Sequence, residues 1–278
     1  MKTIVLNNGV EIPQTGFGTW QLIQNVESTI QTAIELGYTH IDTADVYTNE
    51  RRIGIAIRDS GIDRSAFFIT SKIWTDFRGY ENAVMAIQSS LIRLKVDYID
   101  LMLIHWPADV HRFENWKELN SGTWKALEEF YIKGKIRAIG VSNFMPEHLE
   151  ALLETATIIP AVNQIELHPG YLQQGVVEYC QNKGIAIEAW SPLGMGGLLN
   201  NDFLKDLASK YNTSVANICI QFLKQLNFIV LPKSTTPVNM DSNLNYKPFT
   251  ISIDDIERIK SMPTESYGLN PRTSDVEV

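Results

Sequence analysis

Apolar residues recur along the chain in two alternating rhythms. Short runs of three to six residues read as strands, and between them apolar positions fall at helical spacing. The first two runs, Thr3–Leu6 and Val10–Ile12, flank Asn7-Asn8-Gly9 and form a predicted β-hairpin. Eight further strands are expected at Thr15–Gly18, His40–Thr43, Phe67–Lys72, Ile99–Ile104, Ile136–Val141, Ala161–Ile165, Ile185–Trp190 and Phe228–Leu231. Ile99-Asp100-Leu101-Met102-Leu103-Ile104 is nearly continuous in apolar character, as a parallel strand covered on both faces would be.

Helices are expected where Val26, Ile30, Ala33 and Ile34 share one face before Gly37. The same spacing recurs in Ala83, Ile87, Leu91 and Leu94, and in Trp124, Leu127, Phe130 and Tyr131 before Gly134. Pro146 opens a helix with Leu149, Leu152 and Leu153 on its face. Leu172, Val176, Val177 and Cys180 mark another, closed by Gly184. Two helical patterns, 202–211 and 214–226, share one connection, and a further helix is expected near 254–261. The stretch 107–122 reads as a long loop and a binding element.

Eight strand–helix units predict one α/β domain over residues 1–278. It is a (β/α)8 TIM barrel with an N-terminal β-hairpin and two extra helices. A doubly wound sheet would carry a Gly-rich phosphate loop after its first strand. Neither Gly16-Phe17-Gly18 nor Gly194-Met195-Gly196-Gly197 completes one.

Composition narrows the function. The chain has 278 residues, 44% of them hydrophobic, with a formal net charge of -8. That balance argues against a nucleic-acid surface. No stretch is apolar enough to span a membrane, and the N-terminus lacks the apolar core of a secretion signal. Cys180 and Cys219 fall in apolar helical patterns without metal or redox spacing. A cytoplasmic protein with reduced thiols is expected.

In a barrel, chemistry sits at the C-terminal ends of the strands. Asp42 and Lys72 end the second and third, His105 follows the fourth, and Tyr47 lies five residues beyond Asp42. A phenol is a weak acid with a pKa of about 10. The Lys72 ammonium would lower that value, and Asp42 would hold Lys72 charged. His105 would orient a carbonyl oxygen. The set describes a general acid beside a polarised carbonyl.

The residues around this set resemble the aldo-keto reductases. The matching segments are Gly37-Tyr38-Thr39-His40-Ile41-Asp42-Thr43-Ala44-Asp45-Val46-Tyr47-Thr48-Asn49-Glu50, Ser71-Lys72-Ile73-Trp74 and Leu103-Ile104-His105-Trp106-Pro107. Gly140-Val141-Ser142-Asn143-Phe144, Val162-Asn163-Gln164-Ile165-Glu166 and Leu231-Pro232-Lys233-Ser234 follow in family order. The compact C-terminus is similar to prokaryotic-type members such as the 2,5-diketogluconate reductases.

The resemblance implies a metal-free, NAD(P)H-dependent reductase of aldehydes or ketones with Tyr47 as general acid. It implies that Ser142, Asn143 and Gln164 hold the nicotinamide carboxamide and that Trp190 stacks on the ring. Thr19, Trp20 and Asp42 would also border the cofactor, with Ser191 and Leu193 along the pyrophosphate. Lys233, Ser234 and Thr235 would meet the adenosine 2′-phosphate, and Asn243 would lie nearby. Trp20, Trp74, His105 and Trp106 would line the substrate pocket. Loop 107–122 and tail 268–278 are expected to set specificity for a small carbonyl compound, on a monomer.

One position departs from the family. NADPH-preferring members carry Arg six residues after the lysine of Pro-Lys-Ser, and here that residue is Asn239; the neighbouring acidic position is Ser242. An amide cannot grip a phosphate as a guanidinium fork does. NADPH is therefore expected with a weaker preference over NADH than is usual. His168 is expected to be structural, and His40, His111 and His148 to be surface or supporting residues. Two other readings are a cofactor-binding regulatory subunit of the same fold and a Schiff-base barrel enzyme. The complete catalytic set speaks against the first, and an Asp42-paired, charged Lys72 against the second.

Overall fold

A computed structural model describes residues 2–263 and 265–272. Strands β1 (Thr3–Val5) and β2 (Glu11–Pro13) pair antiparallel, with Ile4 opposite Ile12. Eight strands follow: β3 (Phe17–Gly18), β4 (His40–Asp42), β5 (Phe68–Ile73), β6 (Ile99–Ile104), β7 (Ile136–Ser142), β8 (Val162–Glu166), β9 (Ala186–Trp190) and β10 (Ile229–Leu231). Each pairs in parallel with the next in chain order. A parallel bridge from Thr15 to Val230 and a bond from Gly16 N–H to the Val230 carbonyl (2.9 Å) bring the last strand back to the first. The sheet thus forms the expected barrel.

The apolar run of β6 serves two cores. Met102 and Ile104 belong to the layer shared with the surrounding helices, while Leu101 and Leu103 fill the barrel interior. Alternate side chains of a strand point to opposite faces, so a strand buried on both sides is apolar throughout. The hairpin contributes Leu6 and Ile12 to the interior cluster, beside Phe68, Val162 and Ile229. It closes the end of the barrel where the strands begin.

The helices are α1 (Val26–Glu35), α2 (Glu50–Asp59), α3 (Tyr80–Leu94), α4 (Trp116–Ile132), α5 (Pro146–Leu153), α6 (Gln174–Asn182), α7 (Asp202–Lys210), α8 (Val215–Gln225), α9 (Pro237–Asn245) and α10 (Ile253–Lys260). The two helices beyond the barrel repeat are α7 and α10. The pattern along the sequence did not mark α2 or α9. In α9 only Met240 and Asn243 are buried, too few to create a periodic face.

Loop 107–122 is shorter than expected, because α4 already begins at Trp116. Asn120 lies inside that helix and holds the loop. Its side-chain oxygen accepts from Ala108 N–H (2.8 Å), and its amide donates to the Ala108 carbonyl (2.9 Å). Of the tail, residues 273–278 lie outside the described residues.

Candidate active site

The parallel register aligns the ends of β4, β5 and β6. Asp42 pairs with Thr70, and Lys72 with Leu103. His105 continues β6, its N–H donating to the Ile73 carbonyl (3.0 Å). Tyr47 lies on a single 3-10 turn after β4 and is half-buried. The structure brings these four side chains to one mouth.

Lys72 has no exposed surface. Its Nζ donates to Asp42 Oδ1 (2.7 Å) and to the Thr43 carbonyl (2.8 Å). It also stands 5.0 Å from the centroid of the Tyr47 ring, within cation–π distance. Burial opposes its charge, but Asp42 and then Tyr47 outweigh that and hold its pKa above the ordinary lysine value. A charged Lys72 is no Schiff-base nucleophile.

Tyr47 differs from expectation. Burial raises its pKa above the usual value, and Lys72 only partly offsets the rise. Asp42 adds to the rise because a second negative charge disfavours the phenolate. The lysine therefore limits a rise that burial would otherwise make larger. His105 packs edge-on against Tyr47 (5.6 Å between centroids) and Trp74 (4.9 Å). Burial, then Lys72, pushes its pKa well below the ordinary histidine value, so the imidazole is neutral.

A second group of side chains lies at the ends of β7 and β9 and at Gln164 within β8. Ser142 Oγ donates to the Gln164 carbonyl (2.8 Å). Asn143 takes a left-handed backbone (φ 63°). Its amide donates to the His105 carbonyl (3.0 Å), and its side-chain oxygen accepts from Trp190 Nε1 (3.0 Å). Ser191 also has positive φ (50°). Non-glycine residues in this conformation persist where their surroundings hold them, commonly at functional sites. Gly140 sits two residues before Ser142. A Cβ there would lie 2.5 Å from the Val162 carbonyl, so glycine lets β7 approach β8.

The other expected residues differ in exposure. Thr19 is buried, and its hydroxyl donates to the Asp42 carbonyl (2.8 Å). Trp74 and Trp106 are each only 8% exposed, whereas Trp20 is 47% exposed and stands at an open rim. Leu193 is half-buried beside Trp190's loop. Lys233, Thr235 and Asn239 are exposed, Ser234 half-buried and Asn243 buried. Ser242 takes the Asn217 amide (3.4 Å).

Three supporting contacts involve pairings that the sequence does not show, one of them made by His148, expected above to be a surface or supporting residue. Glu188, in mid-β9, shares the Gln164 amide with Asp42. His148 Nε2 lies 2.8 Å from Asp109 and thereby ties α5 to the loop after β6. Glu166 accepts from Ser266 Oγ (2.8 Å), Tyr267 N–H (2.8 Å) and Gly268 N–H (3.1 Å). That clamp lays the C-terminal segment against Trp190, so close that a Cβ on Gly268 would lie 2.2 Å from the indole. A carboxylate inside an apolar strand, as at Glu188, was the available signal. The Glu166 clamp joins residues about a hundred positions apart and left none. His40 and His148 are buried, and His168 is a structural partner of Glu166 (3.3 Å).

Residues 15–263 match the Aldo/keto reductase family. The chain belongs to the aldo/keto reductase family. It is 43% identical over 272 residues to the glyoxal reductase of Bacillus subtilis (strain 168), covering 97% of this chain and 96% of that one. Among solved structures it resembles Gox0644 in its apo form, with a TM-score of 0.91 and 34% identity over 99% of this chain and 98% of that one. It also resembles MGS-M4, an aldo-keto reductase enzyme from a Medee basin deep-sea metagenome library. That TM-score is 0.88, at 36% identity over 99% and 98% of the two chains. Family membership carries NAD(P)H-dependent carbonyl reduction with it and gives no support to a regulatory subunit.

Proposed function

We infer that this protein reduces small aldehydes and ketones with NADPH, using Tyr47 as proton donor. The observation that carries this reading is Lys72, buried in one contact chain between Asp42 and the Tyr47 ring. When bound, a reduced nicotinamide supplies the two electrons and the hydrogen that reach the carbonyl carbon.

The rest of the chemistry falls to this chain. Tyr47 keeps its proton at neutral pH, because burial raises its pKa. It can therefore act as an acid toward the oxygen as negative charge develops there. Lys72 stabilises the phenolate left behind, and Asp42 holds Lys72 charged and in place. The neutral His105 offers an N–H to the substrate oxygen and sets its angle.

The cofactor fits the donor set. Ser142, Asn143 and Gln164 offer hydroxyl and amide groups suited to a carboxamide, and Trp190 is a half-buried aromatic surface beside them. Lys233 supplies a charge for a 2′-phosphate, while Asn239 supplies none. NADPH is preferred by a modest margin, and NADH also serves. The similarity to a relative named glyoxal reductase supports small dicarbonyl and aldehyde substrates for this chain, and Trp74 and Trp106 give such substrates an aromatic wall. Buried, unpaired Cys180 and Cys219 fit a reducing, cytoplasmic setting.

Following absorbance at 340 nm with NADPH or NADH and a panel including glyoxal tests this reading. Consumption with both cofactors, faster with NADPH, is expected. Absence of turnover across the panel would overturn it.

A further inference from the structure

Glu188 lies wholly buried in β9 beneath the mouth. Its Oε2 accepts from Gln164 Nε2 at 2.7 Å, and the same nitrogen donates to Asp42 Oδ2 at 2.9 Å. Among the described residues its Oε1 has no hydrogen-bond partner; His40 Nε2 is 3.7 Å away. The groups facing Glu188 are thus His40 and Asp42 from β4, Gln164 from β8 and the Lys72 charge from β5. Burial, then the Asp42 charge, raises its pKa to about 8, so the carboxyl holds a proton at neutral pH and still accepts through Oε2. Burial likewise drives His40 down to about 3, which leaves it neutral.

A side-chain amide has two N–H donors on one end and one acceptor on the other. Asp42 faces the Lys72 ammonium and is the anion of the group. The end of Gln164 that meets it must be the nitrogen. One hydrogen bond leaves the amide plane free to turn, because the terminal torsion of glutamine is soft. Two fixed acceptors define the plane. With both hydrogens taken from below, the carbonyl oxygen is the group that Gln164 can present to a ligand.

We propose that Glu188 is a positioning residue for cofactor recognition: by taking the second hydrogen of Gln164 it fixes that carbonyl oxygen as an acceptor for the amino group of the nicotinamide carboxamide. This rests on the reading above, in which Gln164 meets the carboxamide. Glu188 does not touch the cofactor. It selects which of its groups Gln164 can recognise.

The test compares NADPH with its 3-acetylpyridine analogue, in which a methyl group replaces the carboxamide amino group. Both are titrated against intrinsic tryptophan fluorescence, and the ratio of the two Kd values is read. A neutral hydrogen bond contributes up to about 1.5 kcal/mol, so wild type should favour NADPH by about tenfold. Glu188→Gln keeps an acceptor oxygen and should keep the ratio. Glu188→Leu should bring it within about threefold of unity, and Glu188→Ala should do the same if the leucine variant fails to fold. A folded Leu or Ala variant with the wild-type ratio would overturn the proposal, as would a wild type without discrimination. If wild type binds neither nucleotide, the reductase reading itself fails. If it binds NADPH and the ratio ignores position 188, only the role of Glu188 fails.

Discussion

The Lys72 ammonium is bonded to Asp42 at 2.7 Å with neither side chain open to solvent by more than 5%. In such a place a charge without its partner is costly, because little water remains to solvate it. The pair is therefore both a structural commitment and the electrostatic base of the site.

Removing the phenolic hydroxyl separates proton donation from binding. Tyr47→Phe should lower kcat by about 100-fold or more, the scale of a general acid's contribution. Cofactor affinity, measured by fluorescence titration, should stay within about twofold of wild type, since the ring and its packing remain. Wild-type turnover of an ordinary aldehyde by this variant would remove Tyr47 from the role of donor.

Lys72→Met leaves Asp42 as a buried anion without its cation. Loss of about 3–5 kcal/mol is expected by urea unfolding, the usual result of breaking a buried pair. The pH profile should move as well. Burial raises the Tyr47 pKa and Lys72 holds the rise back, so without Lys72 the value climbs further. In the proposed mechanism alcohol oxidation uses the Tyr47 phenolate as base, so its rising limb should shift to higher pH. An unchanged limb would mean that Lys72 does not act on Tyr47.

Asn239 is exposed in the first turn of α9, close in sequence to the exposed Lys233. Asn239→Arg should tighten NADPH by about tenfold or more, as expected of charge-assisted bonds to phosphate. NADH affinity should not change. Equal tightening of both nucleotides would show that residue 239 does not meet the 2′-phosphate.

His40 gives the fold an acid-sensitive element. Its pKa falls to about 3 through burial, whereas the unfolded value is near 6.5. Between these limits the unfolded chain binds the proton that the folded chain refuses, so stability falls as pH drops below about 6.5. This one group accounts for about 1.4 kcal/mol per pH unit in that window. Urea unfolding at pH 7 and pH 5 should show a shallower loss for His40→Gln than for wild type. Equal losses would place the acid sensitivity elsewhere.

The local pattern was enough to locate the barrel strands and the ionisable side chains that the structure brings together at their ends. A parallel strand buried on both faces is apolar along its length, and an ionisable residue where that run stops, such as Asp42 or Lys72, is conspicuous. Helices lying flat on the surface, such as α9, bury too few residues to write a period into the sequence. The loop after β6 is shorter than the sequence suggests because α4 starts at Trp116, inside the expected loop, where Asn120 ties the helix to Ala108.

The sequence by itself determined the parallel barrel, the order of its strands and which residue types stand at their ends. Those follow from short apolar runs and from a 3.6-residue spacing between them, which are local. The tertiary structure alone decided the balance on Tyr47, the neutrality of His105 and the sharing of Gln164 between Asp42 and Glu188. It also decided the clamp by which Glu166 lays the C-terminal segment on Trp190. Each depends on burial or on contact between residues far apart in the chain, and electrostatic energy is set by distance and solvent access rather than by position in the sequence.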